Sequence, residues 1–258
     1  MTEHVRIHRD ESVLAITLAR PERRNAISVA MYEALADAFE KAAGDRSLRL
    51  ITIAGEGQDF TAGNDLKDFL AALPRDSDKI PVWRLLRALA RNSVPLVAAV
   101  QGNAVGIGTT LLLHCDLVVA AQSARFRLPF VDLGLVPEAA SSLILPGLCG
   151  RRRAARYLLL AEPFGADEAF HAGIVSHVVP DGELTAAFAG IVERLLAKPP
   201  EALRLTQSLL RQSASGEVME RMELESRHFA ERLTSDEARE AIAAFFAARG
   251  AAADQAER

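Results

Sequence analysis

Two glycine-rich segments stand where a hydrophobic run gives way to a predicted helix, and both could bind an anionic atom. They read Thr61-Ala62-Gly63-Asn64-Asp65-Leu66 and Gly102-Asn103-Ala104-Val105-Gly106-Ile107-Gly108. Glycine lets a backbone approach a ligand closely, and the first N–H groups of a helix have no partner within that helix. The two segments could therefore direct two backbone N–H donors at one oxygen atom, as in an oxyanion hole.

Two carboxylates follow these segments at positions where an acid or a base could act on a bound molecule. Glu138 comes directly after Pro137 and precedes a predicted helix, and Asp132 lies six residues earlier. Burial in an apolar pocket raises the pKa of a carboxyl and makes it a better proton shuttle. Structural alternatives stay open: Glu138 could stabilise a helix N-terminus through the helix dipole, and for Asp132 we favour a turn that faces solvent.

The other reactive residue types form no site that the sequence reveals. The six histidines show no metal-ligand spacing, and the chain has no Gly-x-Ser-x-Gly motif or Cys–His arrangement for covalent catalysis. Cys115 and Cys149 lie within apolar runs, which indicates buried thiols in a reducing compartment. We therefore expect neither a metal ion nor a covalent nucleophile.

Short hydrophobic runs alternate with helical patterns over the first three quarters of the chain. They predict strands over residues 13–19, 48–54, 96–100, 116–121 and 124–128. Ser28 is the predicted N-cap of a helix that ends at Gly44. Because alternating strands and helices connect through right-handed crossovers, we expect a largely parallel sheet and an α/β fold.

The pattern changes beyond residue 180, where only helical periods follow. They cover residues 183–198, 201–213, 217–233 and 235–249. We therefore divide the chain into an α/β core over residues 1–195 and a helical region over residues 196–258.

Composition limits the partners of this chain. Half of its 258 residues are hydrophobic, so a large core can form, and the formal net charge of −4 argues against a nucleic-acid surface. The longest apolar stretch, residues 107–121, contains His114 and Asp116 and is too short to span a bilayer. The first eleven residues are polar and lack a leader's apolar region. We expect a cytoplasmic protein that binds neither nucleic acid nor membrane.

Segments along nearly the whole chain resemble the crotonase family, also called the enoyl-CoA hydratase/isomerase superfamily. They are Arg20-Pro21 with Asn25-Ala26, the two glycine-rich segments, Cys115-Asp116-Leu117, Phe126-Arg127-Leu128-Pro129-Phe130, Leu133-Gly134-Leu135-Val136-Pro137-Glu138 and Ala169-Phe170-His171-Ala172-Gly173-Ile174-Val175. Any one of these segments alone would be weak support. Their common order along one chain makes the resemblance specific.

The resemblance implies a ββα superhelix core and an acyl-coenzyme A thioester as substrate, with no other cofactor. The thioester oxygen would lie between two backbone N–H groups, which by position are those of Asn64 and Ile107. Removing a proton next to a thioester carbonyl builds negative charge on that oxygen, so fixed donors stabilise the enolate. Loss of one such donor typically costs roughly 3 kcal/mol of barrier.

The chain departs from the hydratases of this family at two positions. Hydratases of the family use a pair of catalytic glutamates. By this resemblance, the matching positions of this chain hold Thr110 and Phe130. Glu138, within Pro137-Glu138-Ala139-Ala140-Ser141-Ser142, instead resembles the single catalytic glutamate of one branch of Δ3,Δ2-enoyl-CoA isomerases. We therefore predict an isomerase. A hydratase or related lyase that uses Glu138 or Asp132, and a non-catalytic acyl-CoA-binding protein, are the alternatives.

The same resemblance implies a set of residues around the substrate. They are Arg24, Ala26, Ala62, Gly63, Asp65, Leu66, Lys67, Gly106, Phe130 and Asp132. Arg24 and Lys67 suit the phosphates of coenzyme A, and Asp65 has a helix-capping role as its alternative. An apolar acyl pocket could be formed by Phe69, Leu73, Trp83, Leu86 and Phe130, whose spacing also suits a core.

Similar proteins assemble as trimers that often pair into hexamers. The helical region after residue 200 has apolar faces that would suit such packing. We therefore expect a homotrimer or hexamer.

Overall fold

The computed structural model describes residues 2–71, 81–212 and 215–256. Its strands are β1 (Val5–Asp10), β2 (Val13–Leu18), β3 (Leu50–Gly55), β4 (Leu96–Val100), β5 (Asn103–Val105), β6 (Leu117–Ala121), β7 (Arg125–Arg127), β8 (Phe164–Gly165) and β9 (His177–Val179). Its helices are α1 (Val29–Ala43), α2 (Leu66–Ala71), α3 (Pro81–Ala90), α4 (Ile107–Thr110), α5 (Ser141–Cys149), α6 (Arg151–Leu159), α7 (Ala166–His171), α8 (Leu184–Leu196), α9 (Pro200–Gln212), α10 (Ser215–Leu233) and α11 (Asp236–Ala256).

A six-stranded sheet of order β1-β2-β3-β4-β6-β9 forms the centre of the fold. β1 runs antiparallel to β2, and every other neighbouring pair is parallel. β4 is buried along its whole length, as expected for a parallel strand covered on both faces. The predicted largely parallel sheet is confirmed. The predicted strand at 124–128 is present as β7, but it belongs to a second sheet of order β5-β7-β8.

Helix α1 begins and packs as its sequence predicts. The Ser28 hydroxyl accepts the Met31 N–H at 3.3 Å and so satisfies one of the donors that the first turn leaves unpaired. Met31, Leu35 and Phe39 follow at helical spacing and are fully buried. This apolar stripe packs α1 against α3 and the sheet, and it fixes the start of α1 beside the first glycine-rich segment.

The four helical periods predicted after residue 180 are present as α8 to α11. Leu184 and Ile191 of α8 pack against β3, β4 and β6. Further along, Phe229 of α10 and Ile242 of α11 join the main core. The division into residues 1–195 and 196–258 stays a prediction.

None of the helices in residues 2–71, 81–212 and 215–256 combines the length and apolar character needed to cross a bilayer.

Candidate active site

The two glycine-rich segments lie side by side and are joined by backbone hydrogen bonds. The Thr61 N–H donates to the Asn103 carbonyl at 2.9 Å, and the Val105 N–H donates to the Thr61 carbonyl at 3.1 Å. These bonds form a parallel bridge between Thr61 and Ala104. Thr61 and Ala104, which lie 43 positions apart in sequence, thus become part of one continuous backbone surface.

Two glycines allow this close approach. Gly63 has a φ of +87°, and a Cβ there would lie 2.7 Å from the Val105 carbonyl oxygen. A Cβ on Gly108 would lie 2.6 Å from the Thr61 methyl carbon. Both distances are shorter than real Cβ contacts, so a larger residue at either position would separate the segments.

Two backbone N–H groups at this junction are free of protein acceptors. Within the residues that the structure describes, the N–H groups of Asn64 and Ile107 donate to no carbonyl or side chain. The adjacent Gly106 N–H, by contrast, donates to the Arg127 carbonyl at 2.9 Å. Ile107 opens α4, where an unpaired N–H is expected at the first turn.

A cavity of about 1000 Å³ opens in front of this junction. It brings together both predicted N–H donors and all ten residues predicted to surround the substrate. These are Asn64 and Ile107 with Arg24, Ala26, Ala62, Gly63, Asp65, Leu66, Lys67, Gly106, Phe130 and Asp132. The volume suits a ligand larger than a simple metabolite.

The cavity also includes residues that sequence reasoning did not select. Phe229 of α10 and Phe245 and Phe246 of α11 line it, and the Lys67 ammonium lies 5.7 Å from the centre of the Phe246 ring. Their spacing along α10 and α11 is that of an ordinary amphipathic helix, so the sequence carries no separate signal for this role.

The acyl pocket predicted from apolar side chains is only partly present among the residues that line this cavity. Phe130 lines it, whereas Trp83 and Leu86 are buried in the main core and do not. The Trp83 ring packs edge-on against Phe229, with 5.4 Å between ring centres. The side chain of Phe69 and the whole of Leu73 lie outside the described residues.

Glu138 is buried and is not one of the residues that line this cavity. Its side chain is 1% exposed, and the Thr110 hydroxyl donates to its Oε1 atom at 3.3 Å. The Oε2 atom has no hydrogen-bond partner in the described part of the chain. Burial, and then the charge of Glu225, raise the pKa of Glu138 to about 8.

The backbone around Glu138 is held by neighbouring polar groups. The Ser141 hydroxyl donates to the Glu138 carbonyl at 2.6 Å, and His114 Nε2 lies 2.8 Å from the Ala139 carbonyl, to which it donates. Burial lowers the pKa of His114 to about 4. His114 is therefore uncharged at neutral pH and acts here as a neutral donor.

Tyr32 links the Glu138 region to the first glycine-rich segment. Its hydroxyl, buried at the start of α1, donates to the Asn64 side-chain oxygen. Burial, and then the charge of Glu138, raise the pKa of Tyr32 well above 10. A neutral tyrosine donor thus fixes the side chain of Asn64, whose N–H faces the cavity junction.

The carboxylates of Asp65 and Asp132, which line the cavity, are paired with arginine. Asp65 contacts Arg20 at 2.9 Å and accepts the Asp68 N–H at 3.4 Å near the start of α2. Asp132 contacts Arg127 at 2.9 Å, and both side chains are exposed. Asp65 therefore has the capping contact that was its structural alternative, and Asp132 lies in a solvent-facing turn.

No metal-ligating cluster accompanies these groups. In the described ranges, no three His, Cys, Asp or Glu side chains lie close enough to share a metal ion. Arg24 is exposed and lies 3.9 Å from Asp59, so its guanidinium is accessible at the cavity mouth.

Comparison with known proteins agrees with this geometry. The family model described as enoyl-CoA hydratase/isomerase matches residues 8–254. The chain is 32% identical to 1,2-epoxyphenylacetyl-CoA isomerase of Escherichia coli (strain K12), with 96% of this chain and 97% of the relative covered. It is 35% identical to 2,3-dehydroadipyl-CoA hydratase of the same strain, with 94% and 95% covered.

A solved structure extends the agreement to the fold. The enoyl-CoA hydratase/isomerase from Pseudoalteromonas atlantica T6c superposes with a TM-score of 0.89 at 40% identity, over 95% of this chain and 97% of that one. The family match over nearly the whole chain and this superposition both agree with the joined glycine-rich segments. The chain belongs to the enoyl-CoA hydratase/isomerase family of acyl-CoA enzymes, and its fold is that of the crotonase superfamily.

Proposed function

We propose that this enzyme moves a carbon–carbon double bond from the β,γ to the α,β position of an enoyl-CoA, with Glu138 as its single acid/base. The observation that carries the proposal is the buried carboxyl of Glu138, whose Oε2 atom is unpartnered in the described residues. Thr110, at the position of one hydratase glutamate, donates to the other oxygen of that carboxyl. One base is sufficient for this reaction.

The reaction balances with no oxidant and no external water. Ionised Glu138 removes a proton from the carbon next to the thioester carbonyl, and the electrons of that C–H bond form a dienolate. Its negative charge lies on the thioester oxygen, where the N–H groups of Asn64 and Ile107 would stabilise it. Glu138 then returns the proton two carbons further along, and the double bond moves into conjugation with the carbonyl.

The burial of Glu138 suits this role. A pKa of about 8 makes the carboxylate a stronger base than an exposed glutamate, while the ionised form is still accessible near neutral pH. Since Glu138 does not line the cavity, the groups that cover it must move when the acyl chain enters.

The rest of the cavity suits the coenzyme A portion of the substrate. Arg24 and Lys67 supply cationic groups for its phosphates, and the Lys67 ammonium lies against the Phe246 ring of α11. We expect no cofactor besides the acyl-CoA substrate, because every step above uses groups of this chain.

Hydration is the second candidate, and the relative named 2,3-dehydroadipyl-CoA hydratase favours it. Hydration commonly requires a second group to activate water. Asp132 is the available carboxylate, but it is exposed and paired with Arg127. A non-catalytic acyl-CoA-binding role is the third candidate, and the buried Glu138 argues against it.

An assay with two substrates separates these functions. We expect wild-type enzyme to convert 3-enoyl-CoA into conjugated 2-enoyl-CoA, detected by its ultraviolet absorbance. Glu138→Gln should lower kcat by about 10²- to 10⁴-fold, because general acid–base catalysis contributes that much. Glu223→Gln is the matched control, since it makes the same substitution at an exposed residue of α10 that does not line the cavity, and it should leave isomerisation within a fewfold of wild type.

Other outcomes would identify the alternatives. Formation of 3-hydroxyacyl-CoA from 2-enoyl-CoA without isomerisation, unchanged in Glu138→Gln, would contradict the isomerase proposal. Binding of both substrates without turnover would favour the non-catalytic role.

Assembly into a homotrimer or hexamer is part of the same proposal. It is supported by three solvent-exposed leucines of α9, Leu205, Leu209 and Leu210, because exposed apolar patches are typical of protein–protein contact surfaces. A cytoplasmic location stays a prediction, in keeping with the two free thiols of Cys115 and Cys149.

A further inference from the structure

A second buried carboxylate, Glu225 of α10, binds the turn that carries Glu138. Its side chain is 5% exposed. Its Oε2 atom accepts the Ala140 N–H at 2.6 Å, and its Oε1 atom accepts the Ser142 N–H at 3.0 Å. Both carboxylate oxygens are therefore engaged by backbone groups at the start of α5.

The turn that Glu225 binds has an unfavourable backbone conformation. Ala139 and Ala140 have φ values of +61° and +56°, in the left-handed region that residues with a Cβ rarely adopt. Such residues persist where the surroundings over-determine them. Glu225 supplies that restraint together with Arg221, whose Nη1 donates to the Ser142 hydroxyl at 3.2 Å.

We propose that Glu225 is the positioning residue of Glu138: it holds the turn in the conformation that presents this carboxyl, and it places a negative charge beside it. The proposal rests on the proposed acid/base role of Glu138. Part of the catalytic arrangement then comes from the C-terminal helices, because Glu225 follows Glu138 by 87 residues.

The hydrogen bonds decide which of the two carboxyls keeps the proton. Glu225 accepts two backbone N–H groups, and such bonds favour the ionised form. Within the described residues, the Glu138 carboxyl accepts only the Thr110 hydroxyl, and its Oε2 atom has no partner. The proton therefore resides on Glu138, in agreement with its pKa of about 8, which burial and then Glu225 raise. Burial also raises the pKa of Glu225 above its ordinary value, against the effect of these hydrogen bonds.

The other polar groups around this pair do not titrate in the relevant range. Tyr32 on α1 has a pKa well above 10 because it is buried, and His114 has a pKa of about 4 for the same reason. Arg221 on α10 contributes a guanidinium that donates to the Ser142 hydroxyl. Of the described groups around the pair, Glu138 is therefore the one whose charge changes near neutral pH, because its pKa is about 8.

The test uses three variants of the full-length enzyme. Glu225→Gln removes the charge and leaves one acceptor oxygen, while Glu225→Asp keeps the charge on a side chain that is one carbon shorter. Glu223→Gln is the matched control, because Glu223 is an exposed residue of the same helix. For each protein, kcat and KM for 3-enoyl-CoA are measured from pH 5 to 9.

We expect two separate effects. Both Glu225 variants should lose about ten- to a hundredfold in kcat with little change in KM, because a misplaced base slows the chemical step. In Glu225→Gln the inflection of kcat/KM should also move to lower pH, since a neighbouring negative charge is gone. Glu225→Asp should keep its inflection nearer to that of wild type, and Glu223→Gln should match wild type in both measurements.

Two outcomes would overturn the proposal: a folded Glu225→Gln with the kcat and pH profile of the control, or a loss of kcat without movement of the inflection. If Glu225→Gln does not fold by circular dichroism, a folded Glu225→Asp with wild-type kcat would also overturn it.

A titration that does not depend on turnover separates this proposal from the isomerase assignment. The ¹³C resonance of the Glu138 carboxyl, assigned by its loss in Glu138→Gln, should titrate at lower pH in Glu225→Gln than in wild type. If wild type does not isomerise 3-enoyl-CoA but this shift occurs, the isomerase proposal fails while the electrostatic coupling stands. If isomerisation occurs and the shift does not, the Glu225 proposal fails alone.

Discussion

Proton transfer by a single residue sets opposing demands on Glu138. The carboxyl must be ionised to take the first proton and basic enough to take it from a carbon. Burial meets the second demand by destabilising the charged form, and the Thr110 hydroxyl partly offsets it by donating to Oε1. The unpartnered Oε2 is then the atom from which proton transfer can proceed without first breaking a hydrogen bond.

The pH dependence of isomerisation should report the ionisation of Glu138. Below pH 8 most of the free enzyme carries the neutral carboxyl, which cannot act as the base. We expect kcat/KM for 3-enoyl-CoA to rise roughly tenfold per pH unit below the inflection and to level off above about pH 8, because kcat/KM follows the free enzyme. Stopped-time assays in overlapping buffers measure this profile.

A profile that is flat from pH 6 to 9, or one that levels off near pH 4.5, would contradict an elevated pKa at the base. Glu223→Gln serves as the control here also, since an exposed residue that does not line the cavity should leave the inflection in place.

At the scale of elements, continuous hydrophobic runs were the strongest source of prediction. β4 and β6 lie inside the sheet, so nearly every residue is apolar and the strands stand out. β1 was missed because it is an edge strand in which only Val5 is buried, and its charged residues read as a polar terminus. β9 was missed because three residues give too short a pattern.

The residues of the site also differ in whether the sequence predicts them. The glycine-rich segments were recognisable because close backbone approach requires glycine, and that requirement leaves a trace in the sequence. Glu225 has no such signal in the sequence, since a single acidic residue in an amphipathic helix looks like any acidic residue on its solvent-facing side. Its role arises only when α10 packs against the start of α5, a contact that joins residues 83 and 85 positions apart.

The junction of the two glycine-rich segments can be tested by adding one methyl group. Gly63→Ala would place a Cβ 2.7 Å from the Val105 carbonyl at a φ of +87°, so the segments must separate. Gly150→Ala, at a residue that does not line the cavity, also has a positive φ, +76°, but its Cβ would meet no atom within 4 Å. Both variants should lose roughly 1–3 kcal/mol of unfolding free energy from backbone strain.

Gly63→Ala should lose further stability and most of its isomerase activity, because the N–H groups of Asn64 and Ile107 would no longer converge on one oxygen atom. Urea unfolding and kcat measure the two effects. Equal losses of stability and activity in the two variants would show that the close contact with Val105 has no special importance.

At the scale of the molecule, the C-terminal helices complete a site that the α/β core begins. α10 supplies Glu225 to the Glu138 turn and Phe229 to the cavity, and α11 supplies Phe245 and Phe246. Arg211 of α9 binds the Asp116 carboxylate and the His114 carbonyl. These bonds connect α9 to the residues that directly precede β6. Removal of these helices should therefore abolish catalysis as well as stability.

The exposed leucines of α9 lead to a prediction about assembly. Leu209 and Leu210 are 68% and 74% exposed in the single chain, and adjacent exposed leucines are typical of a surface that another subunit covers. We expect sedimentation velocity to show a trimer or hexamer. Leu209→Glu with Leu210→Glu should shift the protein to smaller species, whereas Ile7→Glu, which adds a charge at an exposed position of the edge strand β1, should not. A wild-type protein that sediments as a monomer would contradict this prediction, and unchanged assembly in the leucine variant would place the interface elsewhere.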